Sequence, residues 1–131
     1  MINAVKIDVI KKQVYPVSIE EGIAAIYEQL NCTTFEVPVV LENRDGLFVD
    51  EEGLLKNPDS LPGAFVYRGF NQVLMGHGLF IGCDEEGESC DVKTTIADIT
   101  TNVIFVTPED LRSEHARLND QPITVTSWPG L

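Results

Sequence analysis

At 131 residues, the chain is long enough for one domain and too short for two of ordinary size. Hydrophobic residues make up 44% of it, enough for a packed core, which argues against global disorder. The formal net charge of −12, from 21 acidic and nine basic residues, disfavours direct nucleic-acid binding because it repels phosphate backbones. There is no bilayer-length apolar run, no signal peptide and no disulfide framework, so we expect a cytoplasmic protein with reduced thiols and no membrane contact.

The first elements in chain order are two strands and a helix. The β-branched stretches 2–10 and 13–19 predict two strands joined by a tight turn, and Pro16 either ends the second strand or places it at an edge. Ser18 to Glu21 matches a capping box, which predicts a helix over 19–30 with one apolar face. Asn31 is a suitable left-handed stop.

A hairpin is predicted next. Residues 34–41 alternate, and Pro38 indicates an edge or a bulge. The stretch 43–46 has turn chemistry, and 47–49 is the return strand. The apolar side of the first strand is predicted to consist of Phe35, Val37, Val39 and Leu41.

The second half predicts a surface loop over 56–63, strands at 64–67 and 78–81 with a glycine-containing segment between them, a short helix over 94–101 and a strand at 103–106. Thr107 and Pro108 start a C-terminal helix to about Leu118, followed by a tail that contains Trp128. With no linker, the chain 1–131 is predicted to be a single compact α+β domain. Its mostly antiparallel mixed sheet would carry one amphipathic helix, and a C-terminal helix plus tail would follow.

Several motifs resemble an uncharacterised family of small phage, prophage and plasmid proteins, classed as a domain of unknown function. They are the helix end IYEQLNC (26–32), the DEEG turn (50–53), the strand GHGLFIG (76–82) and a following Gly–Asp stretch. The resemblance covers roughly residues 1–106 as a family-like core, and 107–131 form the C-terminal helix and tail. His77 and Gly78 depart from the family pattern. The resemblance implies a mobile-element setting and assigns no chemistry.

The sequence DEEG occurs twice, at 50–53 and 84–87. Its carboxylates could bind a hard cation, but the spacing does not match an EF-hand, and we predict solvated turns that Asp opens and Gly closes. The spacing of His77 and the three cysteines does not match a zinc site, and a Cys–His nucleophile has no supporting context. We therefore expect no metal, no cofactor and no catalytic residues.

The predicted contact residues are Arg68, Phe70, His77 and Trp128. His77 lies between two glycines, where a ring that titrates near neutral pH could approach a ligand closely. Arg, aromatic and Trp side chains dominate protein-binding hot spots, although Trp128 could equally pack on its own domain or in a homodimer.

Because the resemblance implies a mobile-element setting, we expect a non-enzymatic phage or mobile-element accessory protein. It would bind a host protein through its acidic loops and the 67–78 segment and modulate or inhibit it, for host takeover or anti-defence, as a small homo-oligomer. The alternative is a protein that binds or sequesters a nucleotide signal, with Arg68 and His77 in its pocket. An enzyme and an acidic mimic of DNA are further alternatives.

Overall fold

The computed structural model describes residues 1–51 and 63–106 of the chain. The predicted helix from Thr107, the tail with Trp128 and most of the predicted loop 56–63 lie outside these ranges. The elements in chain order are β1 (Ile2–Asp8), β2 (Gln13–Ile19), α1 (Ile23–Leu30), β3 (Phe35–Val40), β4 (Gly46–Asp50), β5 (Ala64–Tyr67), β6 (Leu74–Met75), β7 (Gly78–Cys83), β8 (Ser89–Cys90), α2 (Ile96–Asn102) and β9 (Val103–Val106).

The strands form two sheets. The six-stranded sheet has the order β2-β1-β7-β4-β3, with β8 paired to β7, and the three-stranded sheet has the order β6-β5-β9. Every strand pair in the described ranges is antiparallel. The predicted α+β class with a mostly antiparallel sheet is therefore confirmed, and the strands are divided between two sheets rather than held in one.

The six-stranded sheet is buried on both faces at its centre. In β7, Leu79 and Ile81 belong to one apolar cluster and Phe80 to another, because successive side chains point to opposite faces. The first face is covered by α1. The second face packs against the three-stranded sheet and α2, through a cluster of Val5, Ile7, Val9, Leu47, Val49, Phe65, Tyr67, Phe70, Leu74, Phe80 and Ile99.

Helix α1 begins at Ile23, four residues later than the capping box predicts. Its N-cap is Gly22, with no side-chain cap hydrogen bond. Ser18 and Ile19 belong instead to β2, where Ile19 pairs with Ile2 and is 4% exposed. Burying Ile19 in the sheet is worth roughly 1.5–3 kcal/mol, more than a cap contributes, so strand pairing overrides the local motif. The predicted stop at Asn31 is confirmed by its left-handed φ of 52°.

Strand β3 lies at an edge and contains the bulge that Pro38 indicated. The register shifts between Glu36 and Val39, so one extra residue stands in β3 opposite β4. The prediction that the apolar side chains of β3 share one face is consequently wrong. Phe35 packs in the cluster under α1, whereas Val39 and Leu41 pack in the cluster between the sheets.

Gly78 marks the closest approach of the two sheets. A Cβ at this position would lie 2.7 Å from Phe65 Cζ and 3.0 Å from Leu47 Cδ1. Phe65 itself is fully buried in the second sheet. The absence of a side chain at Gly78 therefore lets the Phe65 ring pack directly on β7.

Candidate functional site

One end of the six-stranded sheet gathers a group of exposed carboxylates. Because Gly46 pairs with Ile81, the turn before β4 lies beside the end of β7. Because β1 runs antiparallel to both β2 and β7, the end of β2 lies at this same end of the sheet. We name this region the acidic end, and its exposed members are Glu20, Glu21, Glu42, Glu85, Glu86, Glu88 and Asp91.

The second DEEG forms the turn between β7 and β8. The Oδ1 atom of Asp84 accepts from the backbone amides of Glu86 and Glu88, both at 2.9 Å. Gly87 adopts a φ of 85°, a conformation that other residues rarely adopt. The prediction that Asp opens this turn and Gly closes it is confirmed, and the glutamates between them remain exposed to solvent.

The first DEEG lies at the opposite end of the sheet. Asp50 ends β4, and Glu52 and Gly53 are outside the described residues. Val49 pairs with Gly78, six residues before Asp84, so Asp50 lies roughly 20 Å or more from Asp84 at roughly 3.4 Å per residue. Asp50 and Glu51 therefore cannot share a cation with the second copy. In the described ranges, no group of three or more His, Cys, Asp or Glu residues could hold a metal ion.

Asp45 is the buried anchor beneath the acidic end, and it is 0% exposed. Its carboxylate accepts from the amide of Lys93 at 3.0 and 3.1 Å and from the amide of Thr94 at 2.7 Å. The Thr94 hydroxyl also donates to it. Asp45 thus holds the segment after β8 against the turn before β4. The sequence analysis treated Asp45 only as a turn residue, because its partners are 48 and 49 residues away in the chain.

Two basic residues stand in the acidic end, and both are engaged with the protein itself. The Arg44 guanidinium donates to the carbonyl of Asp84 at 3.3 Å. The Lys93 ammonium donates to the carbonyl of Cys83 at 3.1 Å and lies 3.9 Å from Asp45. These cations fasten neighbouring turns to each other through backbone carbonyls, and they do not form ion pairs with the exposed glutamates of the acidic end.

The three cysteines are free thiols of intermediate exposure. Cys83 pairs with Ser89 and Cys90 with Gly82, so the two cysteines occupy successive positions along the ladder and point to opposite faces. Cys32 lies beyond the end of α1, packed against the cluster beneath that helix. The structure therefore does not bring the three thiols together.

The predicted contact residues are separated in the fold. Arg68 is exposed, directly after β5, and its backbone amide donates to the carbonyl of Asn102. Phe70 is 8% exposed and belongs to the core between the sheets. Ala64 pairs with Met75, which puts His77 beyond the other end of β5, roughly 13 Å or more from Arg68 along the strand. Trp128 lies outside the described residues.

His77 belongs instead to a polar cluster with Asp8 and Tyr15. Its side chain is 11% exposed, and its Nδ1 accepts from the Val9 amide at 3.2 Å and lies 3.7 Å from Asp8 Oδ1. Asp8 also accepts from the Ile10 and Lys11 amides, each at 3.0 Å, and from the Tyr15 hydroxyl at 2.7 Å. The sequence analysis did not find this cluster, because only the pairing of β1 with β2 and β7 assembles it.

The titration of the cluster follows from these contacts. Burial and the nearby Lys6 ammonium lower the pKa of His77, although Asp8 and a hydrogen bond with the Ile7 backbone oppose the shift. Burial and the hydrogen bond to Asp8 raise the pKa of Tyr15 to about 12. Burial raises the pKa of Asp8, but the hydrogen bonds it accepts from the Lys11 and Ile10 amides and the Tyr15 hydroxyl, with the positive charge that His77 carries when it is protonated, leave that pKa below its ordinary value. The cluster therefore holds a neutral His77 beside an ionised Asp8.

Comparison with known proteins identifies a family and nothing finer. A family model described as a domain of unknown function (DUF3846) matches residues 2–104. No curated protein and no solved structure matches the chain. Neither helix in the described ranges is long and apolar enough to cross a membrane.

Proposed function

Since this chain belongs to the DUF3846 family, a family of unknown function, we propose that it is a non-enzymatic accessory protein that binds a host protein. The setting we propose is a phage or another mobile element, and the place of action is the cytoplasm of the host. Binding would modulate or inhibit the partner, for host takeover or anti-defence. A small homo-oligomer is part of the proposal.

The observation that carries the proposal is the acidic end. Seven exposed carboxylates lie on loops and turns at one end of the sheet. The Arg44 guanidinium and the Lys93 ammonium donate hydrogen bonds to the backbone carbonyls of Asp84 and Cys83. Turns anchored by Asp45 and Asp84 hold Glu42, Glu85, Glu86 and Glu88 on a defined backbone. A fixed field of one sign accelerates encounter with a surface of the opposite sign and selects against acidic partners.

The chemistry of the partner follows from this field. The expected partner surface is rich in lysine and arginine. It belongs to a protein, because the formal charge of −12 repels a phosphate backbone at every approach. Charged contacts on exposed turns lose strength when salt screens them, so binding should weaken as the ionic strength rises.

The test is capture of host proteins on the immobilised chain, with quantification by mass spectrometry. The variant that tests the acidic end is Glu85→Gln, Glu86→Gln and Glu88→Gln, which removes three of its seven exposed carboxylates. A matched control, Glu28→Gln, Glu36→Gln and Glu51→Gln, removes the same formal charge from exposed positions outside the acidic end. We expect one stoichiometric protein that the wild type and the control retain and that the acidic-end variant loses.

Two other results would contradict the proposal. Equal retention by both variants would show that the acidic end is not the contact. A thermal shift of several degrees with one nucleotide, abolished by Arg68→Ala and accompanied by no captured protein, would favour the nucleotide-binding alternative. Arg68 is the exposed basic residue that the sequence analysis assigned to that alternative, and the fold does not place His77 beside it.

A further inference from the structure

His77 lies where the chain passes from the three-stranded sheet to the six-stranded one, between β6 and β7. Its Nδ1 accepts a hydrogen bond from the backbone amide of Val9, and Val9 is the first residue after β1. A ring nitrogen that accepts a hydrogen bond carries no proton, so His77 is neutral in this arrangement and its ring proton is on Nε2. The contact therefore exists in one protonation state of His77 only.

We infer that His77 is a pH-sensitive latch on the β1–β2 turn (residues 9–12): its protonation exchanges the Val9 amide for the Asp8 carboxylate and loosens the turn. The geometry gives the direction of the exchange. A protonated Nδ1 would face the Val9 N–H with two donors 3.2 Å apart, which is repulsive. Among the described residues, the carboxylate oxygen within ion-pair distance is Asp8 Oδ1, 3.7 Å away.

The carboxylate that would accept the hydrogen bond from the protonated ring already holds the turn together. Asp8 Oδ1 accepts from the amides of Ile10 and Lys11, both at 3.0 Å. A charge-assisted hydrogen bond has a length of about 2.8 Å, so Asp8 and the ring must approach each other by about 1 Å. The two hydrogen bonds from these amides are near their normal length, so any part of the approach that Asp8 makes stretches them. The Val9 amide loses its acceptor in the same step.

The charged groups that face the ring determine how readily His77 is protonated. Within the described ranges, Lys6 opposes protonation of His77 and Asp8 favours it. Behind Asp8 lie the Tyr15 hydroxyl, at 2.7 Å, and the Lys11 ammonium, 5.4 Å from the centre of the Tyr15 ring. Burial of the ring keeps it neutral near pH 7. The segment that protonation releases carries the adjacent lysines of the turn, Lys11 and Lys12, at the end of the sheet away from the acidic end.

The experiment is an NMR titration of the intact, ¹⁵N-labelled chain. The ring nitrogens of His77 report the tautomer, and the amides of Val9, Ile10 and Lys11 report the turn. We expect an unprotonated Nδ1 at neutral pH and a single midpoint, shared by the ring and all three amides, below the ordinary 6.5 of histidine. In Asp8→Asn that midpoint should move further down, because the group that favours protonation has lost its charge.

Controls separate the latch from a merely structural role. In His77→Gln the three amides should stay constant over the same pH range. The Asp91-bound amide of Asn3, which is remote from His77, should not titrate with the ring in the wild type. A protonated Nδ1 at neutral pH, or amides of the turn that ignore the titration of the ring, would overturn the inference. If His77→Gln does not fold, the common midpoint in the wild type decides alone.

Discussion

Removal of the Asp45 carboxylate is the most demanding test of how the acidic end is built. Asp45 is 0% exposed and accepts from two backbone amides and one hydroxyl. In Asp45→Ala the Lys93 amide, the Thr94 amide and the Thr94 hydroxyl lose their acceptor, at about 1–3 kcal/mol for each buried unsatisfied donor. Lys93 is exposed, so water can reach part of the site and the low end of this range applies. The expected loss is about 3 kcal/mol of unfolding free energy.

Asp45→Asn refines the same test. The Lys93 amide contacts both carboxylate oxygens and the Thr94 amide contacts Oδ2, so an amide nitrogen at either position must face a donor. The expected loss is about 2 kcal/mol, close to that of Asp45→Ala, although the two side chains have almost the same volume. Lys93→Met should cost less than about 1 kcal/mol, because the ammonium is 3.9 Å from the carboxylate and half exposed.

The assay is urea unfolding of the wild type and the three variants at one pH, with the slope of each transition compared. Hydrogen exchange of the Lys93 and Thr94 amides gives a local readout, and both should exchange faster in the Asp45 variants than in the wild type. The reasoning is refuted if Asp45→Asn is as stable as the wild type. It is also refuted if Lys93→Met costs as much as Asp45→Ala, since the ion pair would then carry the interaction.

Further outcomes follow from other parts of the fold. Because the pKa of His77 is lowered on folding, its contribution to the unfolding free energy should be constant above pH 6.5 and fall as the pH drops from there towards the folded value. Urea unfolding should therefore show a steeper loss of stability below pH 6.5 in the wild type than in His77→Gln. Gly78→Ala should cost about 1–3 kcal/mol by urea unfolding, because a Cβ there overlaps the Phe65 ring; no cost would mean that the sheets pack less closely. Tyr15→Phe should cost about 1–2 kcal/mol and remove the phenol that titrates near pH 12 from the ultraviolet absorbance curve.

Features of the fold that depend on the backbone chemistry of one residue could be predicted from the sequence. Pro16 at an edge strand, Asn31 at the left-handed end of α1 and Gly87 at a positive φ each follow from the backbone chemistry of a single residue. The start of α1 is not readable in this way. The capping box from Ser18 to Glu21 is a valid local motif, but it does not start the helix. Ile19 instead buries its side chain in the sheet opposite Ile2, a pairing between residues 17 positions apart.

At the candidate site, too, the features set by neighbouring residues could be predicted and those set by distant residues could not. The exposure of the glutamates in the second DEEG turn could be predicted, because Asp and Gly alone explain the turn. The position of His77 could not be predicted. Its two flanking glycines indicate an open loop, yet its ring is bound by an amide 68 residues away. The division of the strands into two sheets also depends on long-range packing, of Phe65 on Gly78, that no short window of sequence contains.

The aspartate and glutamate side chains of the described turns have different roles, and the difference in side-chain length explains why. Asp8 and Asp84 accept from backbone amides two to four residues ahead, and the Asp91 carboxylate accepts from the amide of Asn3. An Asp carboxylate is one methylene from the backbone and reaches such amides at little entropic cost. A Glu side chain has one more rotatable bond, and fixing that bond costs further conformational entropy.

The described turns accordingly use Asp to fix the backbone and leave Glu in solvent. Asp84→Glu should therefore disrupt the β7–β8 turn while keeping its charge, and Glu86→Asp should leave the turn intact. Amide shifts of 84–88 distinguish these outcomes, and equal effects of the two exchanges would show that charge, rather than reach, organises the acidic end.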